Sequence, residues 1–201
     1  MHDENVKEIF RTYISELKPF LLFSSAAFII SAIAGYAFYA TTPSSALDSL
    51  GGLEELAEML QGLSAVEIML FIFLNNAVKM FLVVLLGFAL GLIPFGFLIL
   101  NGFVIGIFAH YQSVESGVLV VIAGLGPHGI IEIPMLIISC AVGMKIGSVA
   151  FQALRSEPVD LKAEIIRGVK FYLHWLFPLI LLAAIIETFI TPVVINMVIG
   201  I

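Results

Sequence analysis

The stretch VLVVIAGLGPHGIIEIP, residues 118–134, decides how this chain is laid out. It sets a histidine, His128, a carboxylate, Glu132, and two prolines, Pro127 and Pro134, inside sequence that is otherwise apolar. Val118 to Leu125 extends only about 12 Å as a helix, too short to cross a hydrocarbon core of about 30 Å. Ile130 to Ala150 is long enough, with Lys145 close enough to its far end to snorkel. The reading is therefore a re-entrant half-helix over 118–126, turned by Gly126-Pro127-His128-Gly129 into a full span over 130–150.

Working outward, composition agrees with lipid as the solvent. Of 201 residues, 61% are hydrophobic and 12% charged, and the mean hydropathy is +1.12, well outside the range of soluble globular domains. The fold class expected is all-α, a polytopic membrane helical bundle of about five spans plus the half-helix. No soluble domain of useful size remains, so any site must be built from the helices themselves. A net charge of -6 is no nucleic-acid footprint. The single cysteine, Cys140, has no partner in the chain and lies in an apolar run, where it reads as a small buried hydrophobe.

Two domains of unequal kind are expected. Residues 1–19 form an amphipathic interfacial helix, with Ile9, Phe10, Tyr13, Ile14 and Leu17 recurring at helical spacing opposite Glu8, Arg11 and Glu16. Residues 20–201 form one transmembrane domain with spans at about 20–40, 68–93, 95–110, 130–150 and 171–190. The segment 41–67 carries Asp48, Glu54, Glu55, Glu58 and Glu67 with no lysine or arginine, and Leu53, Leu56, Ala57 and Leu60 give it a short amphipathic helix. The connection 151–170 carries Arg155, Lys162, Arg167 and Lys170. The positive-inside rule places that connection and the N-terminus in the cytoplasm, and five spans then leave the C-terminus and 41–67 outside, in a multi-pass protein of the cell membrane. The tail after Thr191 is left open between extending the last helix, folding along the interface and packing on a second subunit.

The ionisable and amide residues within the spans are the candidate site. Asn75, Asn76 and Lys79 lie early in the second span, and Lys79 either snorkels or needs a carboxylate, for which Glu132 is the best candidate. His128 and Glu132, spaced i, i+4, face the same way on a helix and can share a proton, a hydrogen bond or an ion. Two ligands do not make a zinc site, so no metal and no cofactor is expected. Asn101 in the third span reads as bonding to a neighbouring helix, Glu187 as reaching the outer headgroups, and His2, His110 and His174 as interfacial. Three small-residue pairs, Gly87 with Gly91, Gly102 with Gly106 and Gly143 with Gly147, allow close backbone approach, within the chain or across a dimer face. There is no HExxH, no GxSxG and no pair of facing aspartates, so hydrolase chemistry has no support.

Taken together, Asn75-Asn76, Asn101-Gly102 with Gly106, and Pro127-His128-Gly129 followed by Glu132-Ile133-Pro134, Gly143 and Gly147 resemble the stage II sporulation protein M family of integral membrane proteins over roughly Phe20 to Ile190. The resemblance implies a polytopic helical fold with a cytoplasmic N-terminus. It also implies one shared polar cluster of Asn75, Asn76, Asn101, His128 and Glu132. In spore formers the family's named member is similar to a scaffold that holds peptidoglycan-degrading partners during engulfment. The function expected is that of a non-enzymatic scaffold or assembly factor, a homo-oligomer in the lipid bilayer with membrane-protein partners. The alternative is a channel or transporter lined by Asn75, Asn76, Lys79, His128 and Glu132, and an intramembrane enzyme is third.

Overall fold

A computed structural model describes residues 2–48, 50–52 and 59–200, with side chains from residue 11 onward. Among these residues the chain is all-α, and five helices are long and apolar enough to cross a membrane. They are α1 (His2–Thr41), α3 (Ala65–Leu85), α4 (Leu92–Glu115), α5 (Val118–Leu154) and α6 (Leu161–Ile199), with a short α2 (Pro43–Asp48) after the first. Of the amphipathic helix expected between Leu53 and Leu60, residues 53–58 lie outside the described part of the chain.

α5 is the axis of the bundle. In its most apolar window 61% of residues are buried, against 22% to 28% in the other four helices, and it packs against every one of them. The expected half-helix is not a separate element: residues 118–126 are the opening turns of this continuous 37-residue helix. Pro127 and Pro134 stay inside it, because in a bundle neighbouring helices support the backbone that a proline leaves unpaired. The N-terminal segment is likewise not a separate interfacial helix. α1 runs unbroken through Pro19, and Tyr13 and Leu17 are core residues, 1% and 0% exposed, whose packing supports the helix across the bond lost at Ser15.

Other boundaries move for local reasons. Ser64 and Glu67 form a capping box that starts α3. The hairpin expected at Pro94-Phe95-Gly96 turns earlier, after a 3₁₀ segment at Leu86–Phe88, where Leu90 and Gly91 take positive φ of 57° and 73°. Gly91 accommodates the left-handed conformation and Pro94 then falls in the first turn of α4, where its missing N–H costs nothing. Asp160 caps α6 through a 2.9 Å bond from Ala163 N, so the last span begins at Leu161 and the polar connection shrinks to 155–160.

α6 also continues past Thr191 to Ile199, which answers the question of the tail. It widens twice into π-helix, at Tyr172–Leu176 and Ile186–Ile190. Pro178 and Pro192 follow these stretches closely, and neither can join the i→i−4 ladder. The turn before each proline opens instead to i→i−5 bonds, Phe177 N–H to Tyr172 O and Thr191 N–H to Ile186 O.

The three glycine pairs pack within the chain. Gly87 and Gly91 meet Gly143 and Gly147 of α5 at backbone contact, and a Cβ on Gly147 would run into Gly91. Gly102 and Gly106 sit against Phe28 and Ala32 of α1, where Ser31 Oγ also donates to Ile99 O at 2.6 Å. Because lipid gives helices no hydrophobic reason to associate, such close approach is what holds them together. Large apolar side chains such as Leu22, Ile30, Leu100 and Ile130 face outward to the bilayer.

Candidate functional site

Two polar groups lie inside the bundle, at different heights on α5. At the end where α1 begins and α6 begins, Lys145 is only 8% exposed and contacts Glu16 at 2.7 Å and Glu164 at 2.6 Å. Lys145 therefore does not snorkel to headgroups. Its carboxylate partners on α1 and α6 are close enough to hold it inside. Arg167 grips Glu16 with two bonds of 2.6 and 3.0 Å. Tyr13 lies within cation-π distance of both cations, 4.5 Å from Lys145 and 4.4 Å from Arg167, and its hydroxyl donates to Glu164 at 3.4 Å. Two cations face two carboxylates, and every group has a partner.

The second group forms about 15 Å in from Val118 along α5, about 17 Å from Ala65 along α3 and about 18 Å from Ile199 along α6, counting 1.5 Å per residue. Here His128, Glu132 and Glu187 each offer one ligand atom, and these atoms lie within 4.8 Å of one another. All three side chains are half-buried. Asn75 Nδ2 donates to Asn76 Oδ1 at 3.4 Å, and Asn76 Nδ2 donates to Glu132 Oε1 at 2.9 Å, a chain of amides from α3 to the carboxylate. On the far side the Thr191 hydroxyl donates to Ile186 O at 3.3 Å and faces His128 Nδ1 at 3.4 Å.

Four of the six polar residues singled out in the sequence, Asn75, Asn76, His128 and Glu132, thus occupy one region. The other two form no bond within it. Asn101 bonds back to Phe97 O, one turn earlier on its own helix, at 2.8 Å. Lys79 is exposed and forms no ion pair with Glu132, which takes its hydrogen bond from Asn76 instead. His110 stacks on Tyr36 at 4.1 Å and His174 bonds to Lys170 O, both away from the site.

Glu187 and Thr191 were not anticipated. Glu187 does not stand at the membrane edge, because α6 continues for three more turns beyond it. The widened turn before Pro192 carries both residues, and a break in helical register is a frequent companion of functional sites. The sequence signal was available in part: a carboxylate followed by Thr188, Thr191 and Pro192 in an apolar run.

On the lipid-facing side an open groove of about 550 Å³ runs between Pro19, Phe23, Leu92, Phe95 and Phe151. It contains no ionisable side chain and lies apart from the polar site.

Comparison with known proteins places the chain. An uncharacterized protein of Methanocaldococcus jannaschii is 36% identical over 121 residues, covering 59% of this chain and 67% of that one. No solved structure matches. The model of the family described as stage II sporulation protein M matches residues 24–192, which takes in the three middle spans, most of the first and last, and both polar groups except Tyr13 and Glu16, and this multi-pass membrane protein belongs to that family.

Proposed function

We propose that this protein binds and moves a cation within the membrane, using His128, Glu132 and Glu187 as the binding site. The observation that carries the reading is the convergence of an imidazole and two carboxylates from two helices at membrane depth, half-buried rather than sealed. Charged groups are expensive there, and such residues commonly mark ion or proton pathways. The six residues from Ser139 to Met144, between this site and Lys145, are all buried, which favours a route closed on the Lys145 side in this conformation. A closed route with a one-sided site suits alternating access better than an open pore. With the Lys145 end in the cytoplasm, the site faces the outside.

The scaffold role suggested by the sequence drew on the glycine pairs, the acidic external segment and the absence of a catalytic set. Those pairs pack inside the chain, which shifts weight to the polar site. The test is cation flux into proteoliposomes of purified protein. Flux above that of empty liposomes, and its loss in Glu132→Gln and His128→Ala, is expected. Equal flux in both variants and the parent contradicts the proposal.

A further inference from the structure

We infer that the His128–Glu132–Glu187 site takes a divalent transition-metal ion of the zinc type; this rests on the cation-binding reading above and narrows it.

The donor set is the first argument. One imidazole nitrogen and two carboxylate oxygens are three protein ligands, the number that leaves a fourth tetrahedral position to water or an exchanging ligand. Magnesium demands near-octahedral oxygen, and calcium takes six to eight oxygens, neither of which suits an imidazole. Thiolate-loving ions are disfavoured as well, since Cys140 is buried twelve residues further along α5.

Charge is the second. No lysine or arginine forms an ion pair with Glu132 or Glu187 among the described residues: Lys79 is exposed and acts on Glu132 only from beyond ion-pair distance, and Lys145 is engaged by Glu16 and Glu164 about 20 Å from Glu132 along the helix. Two carboxylates and a divalent ion sum to zero, whereas a monovalent ion leaves a net negative charge in a medium that solvates it poorly.

Orientation is the third. Metal-binding side chains are commonly held by an outer layer of hydrogen bonds. Asn76 holds one oxygen of Glu132 and leaves the other free. The Thr191 hydroxyl spends its proton on Ile186 O and so faces His128 Nδ1 as an acceptor, which puts the imidazole proton on Nδ1 and leaves the Nε2 lone pair for a metal. Ligand atoms now up to 4.8 Å apart would draw in to metal distances of about 2.0–2.2 Å by side-chain rotation.

Purified protein without a histidine tag, in nanodiscs, should retain one zinc per chain after dialysis, and cobalt in its place should give the intense visible absorption of a tetrahedral ion. Glu187→Gln and Glu132→Gln, which keep side-chain shape, should lose retained zinc and the cobalt spectrum while eluting as the parent does. Asn76→Ala, a positioning change, should weaken binding by about 10- to 100-fold and leave one zinc per chain at saturation. Retention by either glutamine variant equal to the parent overturns the inference, as does displacement of cobalt by equimolar calcium or magnesium. Flux in the same preparations separates the two readings. Zinc bound without flux upholds the metal and removes transport, and flux of protons or monovalent ions without bound zinc does the reverse.

Discussion

The two polar groups on α5 solve the same problem in opposite ways. Around Lys145 the charges are matched two against two, with Tyr13 between the cations, and three helices are pinned at one end. Around His128 two carboxylates and an imidazole converge with amides and a hydroxyl as their hydrogen-bond partners and, among the described residues, no cation in an ion pair with them. The first arrangement is complete as it stands and serves cohesion. The second is completed by something that arrives, and that difference is the reason to assign function to one and stability to the other.

The contrast can be broken at its strongest point first. Lys145→Ala leaves Glu16 to Arg167 but removes the close cation from Glu164, whose side chain is only 12% exposed, and should destabilise by about 3–5 kcal/mol in detergent unfolding. A loss below about 1 kcal/mol would mean that the network is no more than a surface pair. Next, Gly147→Ala forces a Cβ into the Gly91 backbone, and the overpacking should cost about 1–3 kcal/mol, read in the same assay. Glu187→Gln should leave stability within about 1 kcal/mol of the parent, since it removes one of two like-charged neighbours and no ion pair, yet abolish cation flux. The smallest effect belongs to Lys79→Ala, exposed and unpaired with Glu132, which should shift stability by about 0.5 kcal/mol or less. A large loss of flux on that change would draw Lys79 back into the site.

Much of this was legible in the sequence because it depends on short-range patterns. Apolar length fixed five spans, and the i, i+4 spacing put His128 and Glu132 on one face. The small-residue spacing marked the close crossings, although only the fold shows that Gly87 and Gly91 meet Gly143 and Gly147. Punctuation by proline was the weaker guide. Pro94 and Pro127 each suggested a break, and both lie inside helices, the first in an opening turn and the second supported by neighbours. What stayed hidden was long-range: Lys145 meets Glu16 across 129 positions, and Asn76 meets Glu132 across 56. Glu187 was obscured further, because the last span begins ten residues earlier than its apolar run suggests and widens in the turn that carries the carboxylate.

The most direct test of a stable network beside an incomplete site is thermal unfolding of the parent and Glu187→Gln, each with and without saturating zinc. A ligand that binds only the folded protein stabilises it by about 2.7 kcal/mol at a hundredfold excess over its Kd. The account predicts a clear rise in Tm for the parent and none for Glu187→Gln, from similar starting values. An equal rise in both, or none in either, contradicts it.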